Sequence, residues 1–65
     1  MQIQVNGTSM DVCSDTLEDL LGELQRNDTP CAVERNGELV PWRSRSQVRL
    51  SEGDCIEIVT MVGGG

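Results

Sequence analysis

Ile3 and Val5 alternate with Gln2 and Gln4, the two-residue period of a strand with one buried face, and Asn6-Gly7 follows as a hairpin turn signal. Met10 and Val12 then alternate with Asp11 and Cys13, which predicts an antiparallel hairpin at the start of the chain. The period changes at Leu17. Leu17, Leu20, Leu21 and Leu24 fall at i, i+3, i+4 and i+7, the stripe of a helix packed on a sheet, with Glu18, Asp19, Glu23 and Gln25 on the wet face. Asp15, with Glu18 three residues on, has the form of a capping box with an acidic cap, and Thr16 is the alternative cap. Gly22 inside the stripe costs about 1 kcal/mol relative to Ala, a cost that close approach of helix to sheet would explain. Arg26 supplies a cation for the last turn, Asn27 can take a left-handed cap, and Pro30 stops the helix.

Cys31 to Arg35 resumes a strand, Asn36-Gly37 repeats the turn signal, and Glu38-Leu39-Val40 completes a second hairpin. Pro41 confines the pairing there to an edge or an ending. Trp42 to Ser46 reads as a loop or short helical turn. Val48 and Leu50 alternate into a turn at Ser51-Glu52-Gly53-Asp54, after which Cys55 to Val62 is the longest strand candidate. Its Ile56 and Ile58 should face the core, leaving Cys55, Glu57, Val59 and Met61 on the other face. That face becomes apolar toward the chain end, which makes Val59, Met61 and Val62 candidate partner-docking residues. The alternative is that the chain's own loops cover Val59 and Met61.

The order strand, strand, helix, strand, strand, strand closes most comfortably with the helix across one face of a mixed sheet of four to five strands, an α+β fold. A right-handed crossover makes the first and last strands parallel neighbours, so the final strand lies mid-sheet. With 65 residues there is room for one domain, taken as residues 1–62, followed by a glycine tail at 63–65.

Charge narrows the partners. Lys+Arg number 5 against Asp+Glu 11, a formal net charge of -6, so the basic footprint that nucleic acid demands is missing. The acidity suits a meeting with a basic protein face, or solubility alone. The absence of histidine removes the usual general base and the commonest nitrogen metal ligand, which argues against an enzyme. Cys13, Cys31 and Cys55 are odd in number, widely spaced and too few for a four-cysteine iron-sulfur cluster. They are expected to be buried or half-buried thiols of a reducing compartment. The first residues alternate without a secretory pattern, and no stretch approaches the roughly 20 apolar residues of a membrane span. A cytoplasmic placement without a membrane partner follows. Trp42, the one aromatic residue, is read as a cap over the core or as a contact anchor, and Arg43, Arg45 and Arg49 as a solvated basic loop.

Gly63, Gly64 and Gly65 end the chain. They fit frayed glycine, but also a tail that threads a narrow channel, since none carries a Cβ. The group such a tail offers is the Gly65 carboxylate, an anion with a reference pKa of roughly 3.5.

Three segments, Asp15 to Leu21, Ala32 to Pro41, and Glu52 to Val59 with Val62-Gly63-Gly64-Gly65, together resemble the ThiS family of sulfur carriers of thiamine biosynthesis. The resemblance spans essentially the whole chain and departs at Trp42 to Gln47, a segment from which no role is carried over. It implies a β-grasp, ubiquitin-like fold and a carrier that is the substrate of other enzymes. A ThiF-type adenylyltransferase would use ATP to activate the Gly65 carboxylate, and sulfur originating from cysteine would replace AMP to give a thiocarboxylate. A ThiG-type thiazole synthase would receive that sulfur. Gly64 and Gly63 would thread the tail, and the carrier itself would bind no cofactor. Three alternatives share the fold: a molybdopterin synthase small-subunit carrier, a ubiquitin-like protein modifier, and a β-grasp interaction module without tail chemistry.

Overall fold

Two hairpins and a final strand build one sheet. β1 (Gln2–Val5) and β2 (Thr8–Asp11) form the first hairpin, α1 (Leu17–Glu23) follows, and β3 (Cys31–Arg35) and β4 (Glu38–Val40) form the second. A 3-10 turn at Trp42–Ser44 leads toward β5 (Cys55–Thr60). The structure is a computed structural model that describes residues 1–26 and 30–60. The expected helix cap at Asn27, the docking residues Met61 and Val62, and the tail residues Gly63, Gly64 and Gly65 lie outside the described residues.

The strand order is β2-β1-β5-β3-β4, with β5 central, parallel to β1 and antiparallel to β3. This is the mixed sheet of four to five strands with one helix that the element order predicts, and it has five strands. Both hairpin turns put their two central residues in the left-handed region, Asn6 and Gly7 at φ 51 and 82, Asn36 and Gly37 at φ 52 and 86. Such turns match the twist of the strands they join.

The helix covers one sheet face. Leu17, Leu20, Leu21 and Ile56 are completely buried, joined by Ile3, Val33 and Ile58. Each such side chain contributes about 1.5–3 kcal/mol on burial, which a chain this small needs from nearly every apolar position on that face.

Several local expectations change. Thr16, not Asp15, caps the helix: its backbone is extended and its Oγ1 accepts from the Asp19 N–H at 3.1 Å. Asp15 is occupied elsewhere, its carbonyl accepting from the Leu50 N–H at 2.9 Å while Thr16 bridges Arg49. The helix closes early. Gln25 takes the left-handed conformation at φ 61, and the Gln25 and Arg26 N–H groups reach back to the carbonyls of Gly22 and Leu21, a Schellman closure. Arg26 therefore lies beyond the last turn instead of within it. Gly22 is exposed, so close approach to the sheet does not account for it. Cys31 is buried as expected, but Cys13 and Cys55 are exposed: Cys55 sits on the outer face of β5 and Cys13 follows the end of β2.

Candidate functional site

β5 is the last described element before residues 61–65 in sequence, and three side chains from other elements fasten that strand along its length. At its start, Asn36 donates its backbone N–H to the Cys55 carbonyl at 2.8 Å and accepts the Cys55 N–H on its side-chain oxygen at 2.9 Å. The same amide donates to Asp54 at 3.1 Å. Asp54 is buried, and it also accepts from Arg35 Nε at 2.9 Å and from the Ser51 N–H at 2.8 Å. Burial pushes its carboxyl pKa up, yet the hydrogen bonds from Asn36, Ser51 and Arg35 together outweigh that and hold it below the usual carboxylate range.

In the middle of β5 the neighbouring strand runs out. β1 pairs with β5 only as far as Val5 opposite Ile56, because the chain turns away at Asn6. The Asn6 side chain then continues the ladder, its Oδ1 accepting from the Ile58 N–H at 2.7 Å and its Nδ2 donating to the Ile58 carbonyl at 3.2 Å. Both backbone groups of a buried residue are satisfied by one amide.

At the far end, Arg26 reaches from beyond the helix and donates to Thr60 Oγ1 at 2.6 Å. Thr60 also lies opposite Cys31, the first residue of β3. The end of β5, the end of the helix region and the start of β3 thus meet five residues before Gly65.

The outer sheet face, away from the helix, mixes apolar and acidic groups. Val59 is 63% exposed and Leu39 67%. The register places Ala32 opposite Val59, and Glu34 opposite both Glu57 and Leu39. Val59 is therefore open, not covered by the chain's own loops. Glu34 and Glu57, both exposed, are like charges set directly opposite each other, an arrangement that disfavours the sheet.

Trp42 does not cap the core. It is 37% exposed on the 3-10 turn and lies outside the core cluster, with the Arg45 guanidinium 4.3 Å above its ring. Arg45 also donates to the Trp42 carbonyl at 2.8 Å and pairs with Glu18 at 3.7 Å, so this part of the basic loop is folded onto its neighbours while Arg43 and Arg49 are exposed. Among the described residues, no three His, Cys, Asp or Glu side chains converge as a metal site, and no helix is long and apolar enough to cross a membrane.

In sequence, Asn6 and Asn36 belong to turn signals and Arg26 is a cation for the last helical turn. Their second task, gripping β5, carries only a faint signal: asparagine, with both a donor and an acceptor, precedes glycine in both turns.

A sequence model of the ThiS family matches residues 3–65. The chain is 38% identical to the sulfur carrier protein ThiS of Bacillus subtilis strain 168 over 65 residues, covering 97% of this chain and 98% of that one. It is 46% identical over 66 residues to a thiazole synthase of Paramagnetospirillum magneticum; all of this chain matches, but only 20% of that protein's length. In three dimensions it resembles the crystal structure of a thiamine biosynthesis protein, ThiS, from Geobacter metallireducens, with a TM-score of 0.82, 27% identity and complete coverage of both chains.

Proposed function

Because this chain belongs to the ThiS family, we propose that it is a sulfur carrier of thiamine biosynthesis whose reacting group is the Gly65 carboxylate. The observation that carries this reading is the grip on β5: Asn36, Asn6 and Arg26 hold its start, middle and end, so Thr60, the residue from which the sequence continues to Gly65, is held in place. A tail that must enter a partner's active site benefits from a root held in this way, because less freedom is lost on entry.

The chemistry has two steps. A carboxylate is a poor electrophile, and a ThiF-type adenylyltransferase uses ATP to convert it to an acyl-adenylate, giving it a leaving group. Sulfur derived from cysteine then attacks the acyl carbon, AMP departs, and Gly65 becomes a thiocarboxylate that donates its sulfur to a ThiG-type thiazole synthase. The thiazole synthase of which one fifth is similar to this chain supports that client. The carrier supplies no catalytic group and binds no cofactor; ATP and the sulfur source belong to its partners, and the work is cytoplasmic. Gly64 keeps the threaded tail thin, Gly63 adds reach, and Val59, with Met61 and Val62, docks the partner.

Intact-mass measurement tests this. Incubation with a ThiF-type partner, ATP and a cysteine-derived sulfur source should add about 16 Da, the exchange of one carboxyl oxygen for sulfur. An unchanged mass beside a demonstrably active partner overturns the reading.

A further inference from the structure

All five cationic side chains are arginines, at positions 26, 35, 43, 45 and 49, and residues 1–65 contain no lysine. Resting on the carrier reading above, we infer that the chain is built to bear an activated C-terminal acyl group without capturing it: residues 1–65 offer that group no amine it can reach within the molecule.

An acyl-adenylate has a competing fate. An amine nitrogen donates its lone pair to the acyl carbon, the bond to the AMP oxygen breaks, AMP leaves with that electron pair, and the ammonium proton passes to solvent. The product is an amide, which no longer accepts sulfur. A lysine does this readily when its amine is deprotonated, whereas a guanidinium stays protonated and has no lone pair to give. Arginine keeps the ion pair to Asp54, the hydrogen bond to Thr60 and the stacking on Trp42 without adding a nucleophile.

The α-amine of Met1 is the remaining candidate, and the sheet removes it. β1 runs parallel to β5 with Gln4 opposite Cys55. Met1 lies three residues before Gln4 and Thr60 five beyond Cys55, so the two are separated by about 26 Å at ~3.3 Å of rise per residue. The five residues after Thr60 span at most about 18 Å fully extended. The acyl group falls short of the amine. Within its own end of the sheet, that amine is bound to Asp11 Oδ1 at 3.2 Å and to the Val12 carbonyl at 2.9 Å, which also limits attack on a second copy. Among the described side chains the strongest exposed nucleophiles are the thiols of Cys13 and Cys55, the exposed serine and threonine hydroxyls being weak without an activating base. The thiols would form thioesters, which remain acyl donors to sulfide. Capture by these two thiols is reversible.

The test is activation without sulfur. The chain is incubated with a ThiF-type partner and ATP, reduced with excess thiol, and weighed intact; Gln25→Lys and Arg43→Lys, both at exposed positions, are treated alongside. The parent chain should give neither a species lighter by about 18 Da, the loss of one water on amide closure, nor a conjugate of two copies. At least one lysine variant should give such thiol-resistant products. Amide products from the parent at the level of the variants overturn the inference, as does their absence from both variants while AMP is released. Failure of the carrier reading itself is seen separately, as no gain of mass by the parent when the sulfur source is present.

Discussion

The side-chain amide of Asn6 takes both backbone groups of Ile58, accepting from its N–H at 2.7 Å and donating to its carbonyl at 3.2 Å. Asn6→Gly keeps the left-handed backbone of the turn, since glycine adopts that conformation freely, and deletes only this grip. Urea unfolding should register a loss of about 1–3 kcal/mol, the cost of stranding a part-buried donor. Unchanged stability would mean that Asn6 matters only for its turn.

Arg26 and Thr60 are tested as a pair. A double-mutant cycle with Arg26→Ala and Thr60→Val should return a coupling of about 0.5–1.5 kcal/mol in stability. If the contact also sets the root of the tail, either change raises KM for the carrier in the adenylation assay while kcat holds. An unchanged KM, a loss confined to kcat, or additive stabilities would contradict it.

Asp54 makes the fold sensitive to acid. Its carboxyl titrates lower in the folded chain than in the unfolded one, so its stabilisation is complete above the unfolded value of about 3.9 and is lost as pH falls through the lower folded value. Thermal melts of the parent should therefore decline with a steep step below about pH 4. Asp54→Asn should be less stable at neutral pH, with Arg35 left unpaired, and should show a shallower step. Matching acid slopes would exclude Asp54 as the cause.

The outer face should separate stability from docking. Glu57→Gln relieves the charge opposite Glu34 and should raise stability by about 0.2–1 kcal/mol at low salt. Val59→Thr, at a position 63% exposed, keeps a β-branched strand former and adds no charge beside Glu57, so it should leave the melting temperature nearly unchanged and weaken binding to the adenylating partner, read by titration calorimetry. Undiminished affinity would move the docking surface elsewhere.

For the tail, Gly64→Ala should fold like the parent and be adenylated more slowly, since the added Cβ must pass through the same channel. Equal rates would remove the threading role.

Most of the architecture was legible because it depends on repetition. Four leucines at helical spacing and two Asn-Gly pairs between alternating segments determine the element order, and crossover handedness then makes β5 central. Single contacts were not legible. Asp15 and Thr16 are equally good caps in sequence, and the choice falls to Thr16 because the carbonyl of Asp15 is engaged by Leu50, 35 positions away. Trp42 reads in sequence either as a cap over the core or as a contact anchor, and nothing in its neighbours' spacing foretells that Arg45 covers its ring. Val59 could be placed on the outer face by alternation, but its exposure depends on loops whose paths no periodicity encodes.

The central place of β5 has a mechanical consequence. A pull on the residues beyond Thr60, directed along the strand, strains its bonds to β1 and β3 together in shear, because both ladders run perpendicular or slanted to the force. An edge strand pulled sideways would instead unzip one bond at a time. On the proposed reading, a partner that draws the chain end inward would pull against two ladders at once instead of peeling one strand.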